Sequence, residues 1–137
     1  MKLRPDDKET FPGIPLEGHV CSLRQGKRKL YWRVEELIKE SQSLPVRRMT
    51  VSELLPRIQN GSWFDAKEQV TIGKVLPHVR RILDADLSFP LILAADGRIM
   101  DGSHRLAAAS IRGIEHIDVV QFEQDPLPGY TGETEQG

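Results

Sequence analysis

The stretch from Ala95 to Phe122, ADGRIMDGSHRLAAASIRGIEHIDVVQF, limits what this chain can fold into more than any other part of it. Just before it, Pro90 to Ala94 is a short apolar run. Asp96-Gly97 is a tight-turn pair, and Arg98-Ile99-Met100 alternates polar with apolar, so the segment predicts a strand, a turn and a second strand. Asp101-Gly102-Ser103 then offers two capping side chains around a glycine, and Leu106, Ala107, Ala108, Ala109 and Ile111 favour helix until Gly113. A hairpin followed by a helix from Ser103 to Arg112 is expected, with Ile117 to Phe122 as a further strand.

The first turn of that helix carries Ser103, His104 and Arg105 beside Gly102, where unpaired backbone N–H groups meet the positive end of the helix dipole. This is an anion site in outline. The planar fork of Arg105 suits a bidentate phosphate contact, against the alternative of a surface salt bridge. His104 either donates to a phosphate oxygen or covers the hairpin. Asp101 has two open roles, as a helix N-cap or as a carboxylate that holds Mg²⁺ or orients a hydroxyl beside a phosphate. The histidines at 19, 78, 104 and 116 are scattered and there is no cysteine pair, which argues against zinc. No Walker-type glycine loop supplies a second phosphate site.

Asp101-Gly102-Ser103-His104-Arg105 resembles the signature of the ParB/sulfiredoxin superfamily. It matches the Asp-Gly-His-His-Arg of the free-serine kinases except at Ser103. It shares Gly102, His104 and Arg105 with sulfiredoxin's Phe-Gly-Gly-Cys-His-Arg, and Gly102 and Arg105 with ParB's Gly-Glu-Arg-Arg. The likeness runs from about Val46 to Phe122 and is greatest to small stand-alone bacterial ParB-like proteins with a DGxHR motif. It implies a single α+β domain, with a small mixed β-sheet covered by helices, that binds nucleotide phosphates at the strand-to-helix junction. On that basis Gly102, Ser103, His104 and Arg105 hold a nucleoside triphosphate, Asp101 holds Mg²⁺, and Asp101 and His104 are the catalytic candidates of an NTPase or phosphotransferase. Sulfiredoxin chemistry is discounted, since Ser103 stands where the reactive thiolate belongs. Kinase chemistry of the serine-kinase type lacks its glutamate: aligning Pro56 with the proline that precedes it puts Ile58 in its place, with Glu53 the nearest acid.

Elsewhere the expectations are structural. Met1 to Gly26 lacks periodicity and contains Pro5, Pro12 and Pro15, so residues 1–28 read as a loosely ordered leader to a domain spanning 29–124. Arg24, Lys27, Arg28, Lys29 and Arg33 surround Tyr31 and Trp32, either as a solvated edge or as a DNA-backbone contact. The DNA contact belongs to an alternative function, a DNA-associated or protein-interaction module related to ParB partition proteins. Val34, Leu37 and Ile38 predict an amphipathic helix over Arg33 to Gln42, and Val46 to Val51 a strand. Thr50 or Ser52 can cap a short turn over Glu53, Leu54 and Leu55. Trp63-Phe64 either packs into the core, the favoured reading, or walls a pocket. Leu76, Val79, Ile82 and Leu83 predict a helix with Pro77 in its first turn and His78 beside the apolar stripe. Residues 125–137 read as an acidic, flexible tail.

Composition adds limits. Nineteen basic against twenty acidic residues give a net charge of −1, without the basic excess of a dedicated nucleic-acid binder. A lone cysteine and a polar N-terminus make a reducing cytoplasm the default, and no stretch is apolar enough to span a membrane.

Overall fold

The structure is a computed structural model that describes residues 10–11, 14–15, 20–64 and 67–133. In chain order it contains β1 (Thr10–Phe11), β2 (Ile14–Pro15), β3 (Val20–Gln25), β4 (Arg28–Arg33), α1 (Val34–Ser41), β5 (Arg47–Thr50), α2 (Val51–Leu54), α3 (Pro56–Gln59), α4 (Ile72–Leu83), β6 (Leu91–Leu93), β7 (Ile99–Asp101), α5 (Ser103–Ile111), β8 (His116–Gln121) and β9 (Tyr130–Glu133). The fold is α+β, as expected.

A four-stranded mixed sheet of order β5-β8-β6-β7 forms the centre, with β6 and β8 parallel and the other pairs antiparallel. Successive side chains of a strand point to opposite faces, and here both faces are buried. Leu91, Leu93, Ile117 and Val119 pack with Leu54, Leu106 and Ala109 on the helical side. Ile92, Ala94, Met100, Val120 and Phe122 pack with Cys21, Leu23, Trp32, Val34 and Leu37 on the other. The PLILA run is apolar without alternation because β6 is covered twice. Gly97, at φ +90°, closes the β6–β7 turn, where its amide donates to the Ala94 carbonyl. Burial works against the Asp96 charge there, but bonds from the amide and side chain of Arg98 outweigh it and hold the carboxyl below its ordinary range.

The second face is covered by a three-stranded antiparallel sheet, β3-β4-β9, and by α1. Two expectations are corrected here. The leader is shorter than the expected 1–28: Val20–Gln25 pairs along its length with β4, and Cys21 and Leu23 are buried. Strand β3 lies just after a proline-containing segment, and its pattern alone does not separate it from that segment. The expected tail over 125–137 is likewise corrected: β9 pairs with β4, Tyr130 packs on Tyr31 at 5.7 Å, and Trp32 Nε1 donates to the Pro126 carbonyl at 2.9 Å. The remaining leader residues and residues 134–137 lie outside the described ones, apart from the paired β1 and β2.

The predicted α1, β5 and α5 are present with near-identical bounds. Thr50 caps α2 in a reciprocal box: its hydroxyl accepts from the Glu53 amide at 3.2 Å, and its amide donates to Glu53 Oε1 at 2.9 Å. Helix α4 differs from expectation in two respects. It begins at Ile72, capped by Thr71, so Pro77 lies inside it, with Gly73 four residues before the ring. Its apolar stripe also faces outward: Ile72 is 80% exposed, Leu76 58% and Leu83 68%, while Arg81 is the residue it buries. Periodicity gives an apolar face but not its direction.

Candidate functional site

The side of α4 turned toward α5 defines a cavity of about 540 Å³, lined by His78 and Arg81 from α4, Ser103 and His104 from α5, Arg57 and Ile58 from α3, Gly61, Ser62 and Trp63 from the following loop, and residues of β3 and β7. It lies at the N-terminus of α5, at the strand-to-helix junction singled out in the sequence. Helix α5 begins there because Gly102, at φ +111°, turns the chain sharply out of β7 and acts as the N-cap. Asp101 is the last residue of β7, and the cap makes no side-chain hydrogen bond, which corrects the reading of Asp101 as N-cap.

The two histidines are bonded to each other, His78 Nδ1 to His104 Nε2, at 2.8 Å. Their rings are nearly coplanar, at 5°, and Trp63 lies parallel to both, with centroids 4.4 Å from His104 and 4.9 Å from His78. Phe64 meets His78 edge-on at 5.1 Å. Trp63 Nε1 donates to Ser103 Oγ at 2.8 Å, fastening the loop to the first turn of α5. The buried Arg81 reaches His78 Nδ1 with Nη1 at 3.2 Å. Two arginines and two histidines therefore converge on one cavity at a positive helix end, an arrangement that attracts anions.

The sequence candidates divide in two. Ser103 and His104 line the cavity. Arg105 turns away from it: Nη2 donates to Asp101 Oδ2 at 2.9 Å and to the Pro90 carbonyl at 3.3 Å, with the two side chains only 21% and 13% exposed. Gly102 packs against the core and this arginine, since a Cβ there would meet Leu91 Cδ2 at 2.4 Å and Arg105 Nη2 at 2.9 Å. Arg105→Ala is therefore expected to lower stability by about 2 kcal/mol, because a hydrogen-bonded charge is removed and the largely buried Asp101 carboxylate loses its partner. Thermal unfolding of the variant checks this, and an unchanged melting temperature contradicts the pairing.

Asp101 does not fit a metal ion. Its Oδ2 is taken by Arg105, and among the described residues no three His, Cys, Asp or Glu side chains gather to hold one. Glu53, the nearest acid by the kinase alignment, is occupied in the α2 capping box.

Three members of the cavity were not singled out as ligand residues from sequence. Nothing in the local sequence marks Arg57, whereas Arg81 follows His78 by three residues and so shares its face. Of the two readings of Trp63, core or pocket wall, the favoured core reading is corrected: Trp63 is 42% exposed and lines the cavity. His78, read as a boundary histidine or a ligand contact, lines the cavity.

Over 72 residues, 51% of this chain, the sequence is 38% identical to the transcriptional regulator NovG of Streptomyces niveus. The matched stretch is 23% of that regulator, so the chain spans well under half of its length. No family model matches the chain, and no solved structure does. Among the described residues no helix is long and apolar enough to cross a membrane.

Proposed function

We propose that this chain is a ParB/sulfiredoxin-like nucleotide-binding domain whose cavity at the N-terminus of α5 takes the phosphates of a nucleoside triphosphate. The observation that carries the reading is the convergence of Arg57, Arg81, His78 and His104 on one cavity beside a helix N-terminus. The volume is within the range of small-molecule sites, and the partly exposed indole of Trp63 offers a stacking surface for a base. With Asp101 committed to Arg105, binding rather than phosphoryl transfer is the function proposed.

A thermal-shift panel of ATP, GTP, CTP and UTP, with and without Mg²⁺, tests it. A ligand at a hundred times its dissociation constant stabilises by about 2.7 kcal/mol. One nucleotide is expected to raise the melting temperature of the wild type, and His104→Ala to weaken that binding roughly tenfold or more, as loss of a hydrogen bond to a charged group does. No shift with any of the four rejects the reading.

A second reading, a DNA-associated module, is favoured by one surface. The β3–β4 turn carries Arg24, Lys27 and Arg28 exposed at its tip and Lys29 over the Tyr31 ring at 5.5 Å, and the NovG likeness is to a transcriptional regulator. If this surface holds DNA, affinity falls steeply with salt, and alanine at Arg24, Lys27, Arg28 and Lys29 together flattens that slope by roughly four phosphate contacts. An unchanged slope in a filter-binding titration removes this surface from consideration.

A further inference from the structure

Strand β3 borders the cavity with its main chain rather than with its side chains. The hairpin that it makes with β4 closes on a two-residue turn, Gly26-Lys27, with Gly26 at φ +62° and Gln25 opposite Arg28. A turn of that length makes Gln25 and Arg28 a hydrogen-bonded pair, and bonded and non-bonded pairs alternate from there. Gln25, Leu23 and Cys21 therefore turn their amides and carbonyls to β4, while those of Arg24, Ser22 and Val20 point away from it. One contact fixes the phase: Arg98 Nη1 donates to the Arg24 carbonyl at 2.8 Å from outside the hairpin. Further along the same edge Ser22 and Val20 line the cavity, beside Ile99 and Met100 of β7 and Trp63 of the loop. The side chain of Val20 packs with Tyr31 and Tyr130, alternation puts that of Ser22 on the same face, and Cys21 lies in the core. What β3 turns to the cavity is its outer edge, on which the Val20 carbonyl and the Ser22 amide are neighbours.

We propose that this edge reads the base of a bound nucleotide: the Ser22 amide donates to the hydrogen-bonding edge of the base, and the Val20 carbonyl accepts from it. The inference rests on the nucleotide reading above and adds to it the element that recognises the base. A phosphate does not suit this edge, because phosphate oxygens only accept and the Val20 carbonyl would face them with another acceptor. A nucleobase does suit it. Adenine and cytosine carry an amino group beside a ring nitrogen, and guanine and uracil a carbonyl beside a ring N–H, so each offers one donor and one acceptor side by side. The edge therefore separates nucleotides from other polyphosphates without choosing among the four bases. Main-chain groups at a half-buried position need a partner, from solvent or from a ligand, and a base supplies both bonds at once. Trp63 lines the same cavity and covers the face of the ring, while the phosphates lie at the start of α5. Strand β3 is outside the stretch from Val46 to Phe122 that carries the ParB/sulfiredoxin likeness, so the likeness does not imply this contact.

The test uses the full chain with ATP, GTP, CTP, UTP and inorganic triphosphate as probes. Calorimetric titration is expected to show at least one nucleotide binding about tenfold or more tighter than triphosphate. Ser22→Pro removes the one amide in question, at an edge position facing away from β4, where a proline leaves the β3–β4 ladder intact. In this variant the ratio of nucleotide to triphosphate affinity is expected to fall roughly fivefold to tenfold. Backbone ¹H–¹⁵N spectra with hydrogen exchange need no variant. In the apo protein the Ser22 amide is expected to exchange faster than those of Cys21 and Leu23. The nucleotide is expected to shift and protect it, and triphosphate to leave it in place. A Ser22 amide as protected in the apo protein as that of Leu23, or one that the nucleotide leaves unmoved, overturns the inference. So does a folded Ser22→Pro chain with an unchanged affinity ratio, or triphosphate binding as tightly as every nucleotide; in each of these cases binding at the cavity still stands. If none of the five probes binds, the nucleotide reading itself falls and this inference with it.

Discussion

Truncation at Gln124, removing residues 125–137, is expected to destabilise the protein by about 4 kcal/mol, enough to be obvious in a denaturant titration. The deleted residues include β9, whose backbone bonds pair one edge of β4, and Tyr130, which packs on the Tyr31 ring at 5.7 Å. They also include the Pro126 carbonyl that accepts from Trp32 Nε1, and Asp125, whose Oδ1 accepts from the Ala95 amide at 2.7 Å. Trp32 is 3% exposed, so truncation either strands a buried indole N–H or uncovers the ring. The first costs about 1–3 kcal/mol, and the lost aromatic pair a further 0.5–1.5 kcal/mol or so, before the uncovered surface is counted. Point variants separate the contributions. Leu127 is 93% exposed, and Leu127→Ala is expected to be nearly neutral, whereas Tyr130→Ala is expected to cost about 2 kcal/mol. A truncated chain that unfolds at the wild-type denaturant concentration shows that β9 contributes nothing.

Gly102→Ala is expected to cost about 3 kcal/mol, roughly 10 °C in Tm for a chain of this size, although it adds one methyl group. Two effects combine. At φ +111° an L side chain is strained whatever its surroundings, by about 1–2 kcal/mol. The added Cβ also meets Leu91 Cδ2 at 2.4 Å, and Leu91 is fully buried under α5 and cannot swing aside. Arg105 Nη2, 2.9 Å from the same position, is tied to Asp101 and Pro90. Gly113 is the control: at φ +71° it has nothing within 4 Å of a Cβ, so Gly113→Ala is expected to cost only about 1 kcal/mol. Equal losses at the two glycines mean that the Leu91 contact relaxes and backbone strain alone accounts for the effect.

That contrast separates what the residues said locally from what the assembled fold added. The hairpin, α5, α1 and the Thr50 capping box follow from signals a few residues long: a turn pair, a glycine stop, an i, i+3, i+4 stripe, a reciprocal cap. These interactions are made within the segment that encodes them, so the sequence determined them. The same is true of the anion-attracting start of α5, a property of any helix N-terminus. Which side chains surround that helix end was a tertiary matter. Ser103, His104 and Arg105 are consecutive, yet the helix turns about 100° per residue; the first two reach the cavity while Arg105 points back to Asp101. His78 and Arg81, together with Arg57 and Trp63, come from segments more than 20 residues away in sequence and meet α5 only once α4 presents its polar face to it. Strands β3 and β9 were decided in the same way. Each follows proline-containing sequence, and each becomes a strand because β4 offers hydrogen-bonding edges on both sides, a partner found by pairing rather than by local pattern.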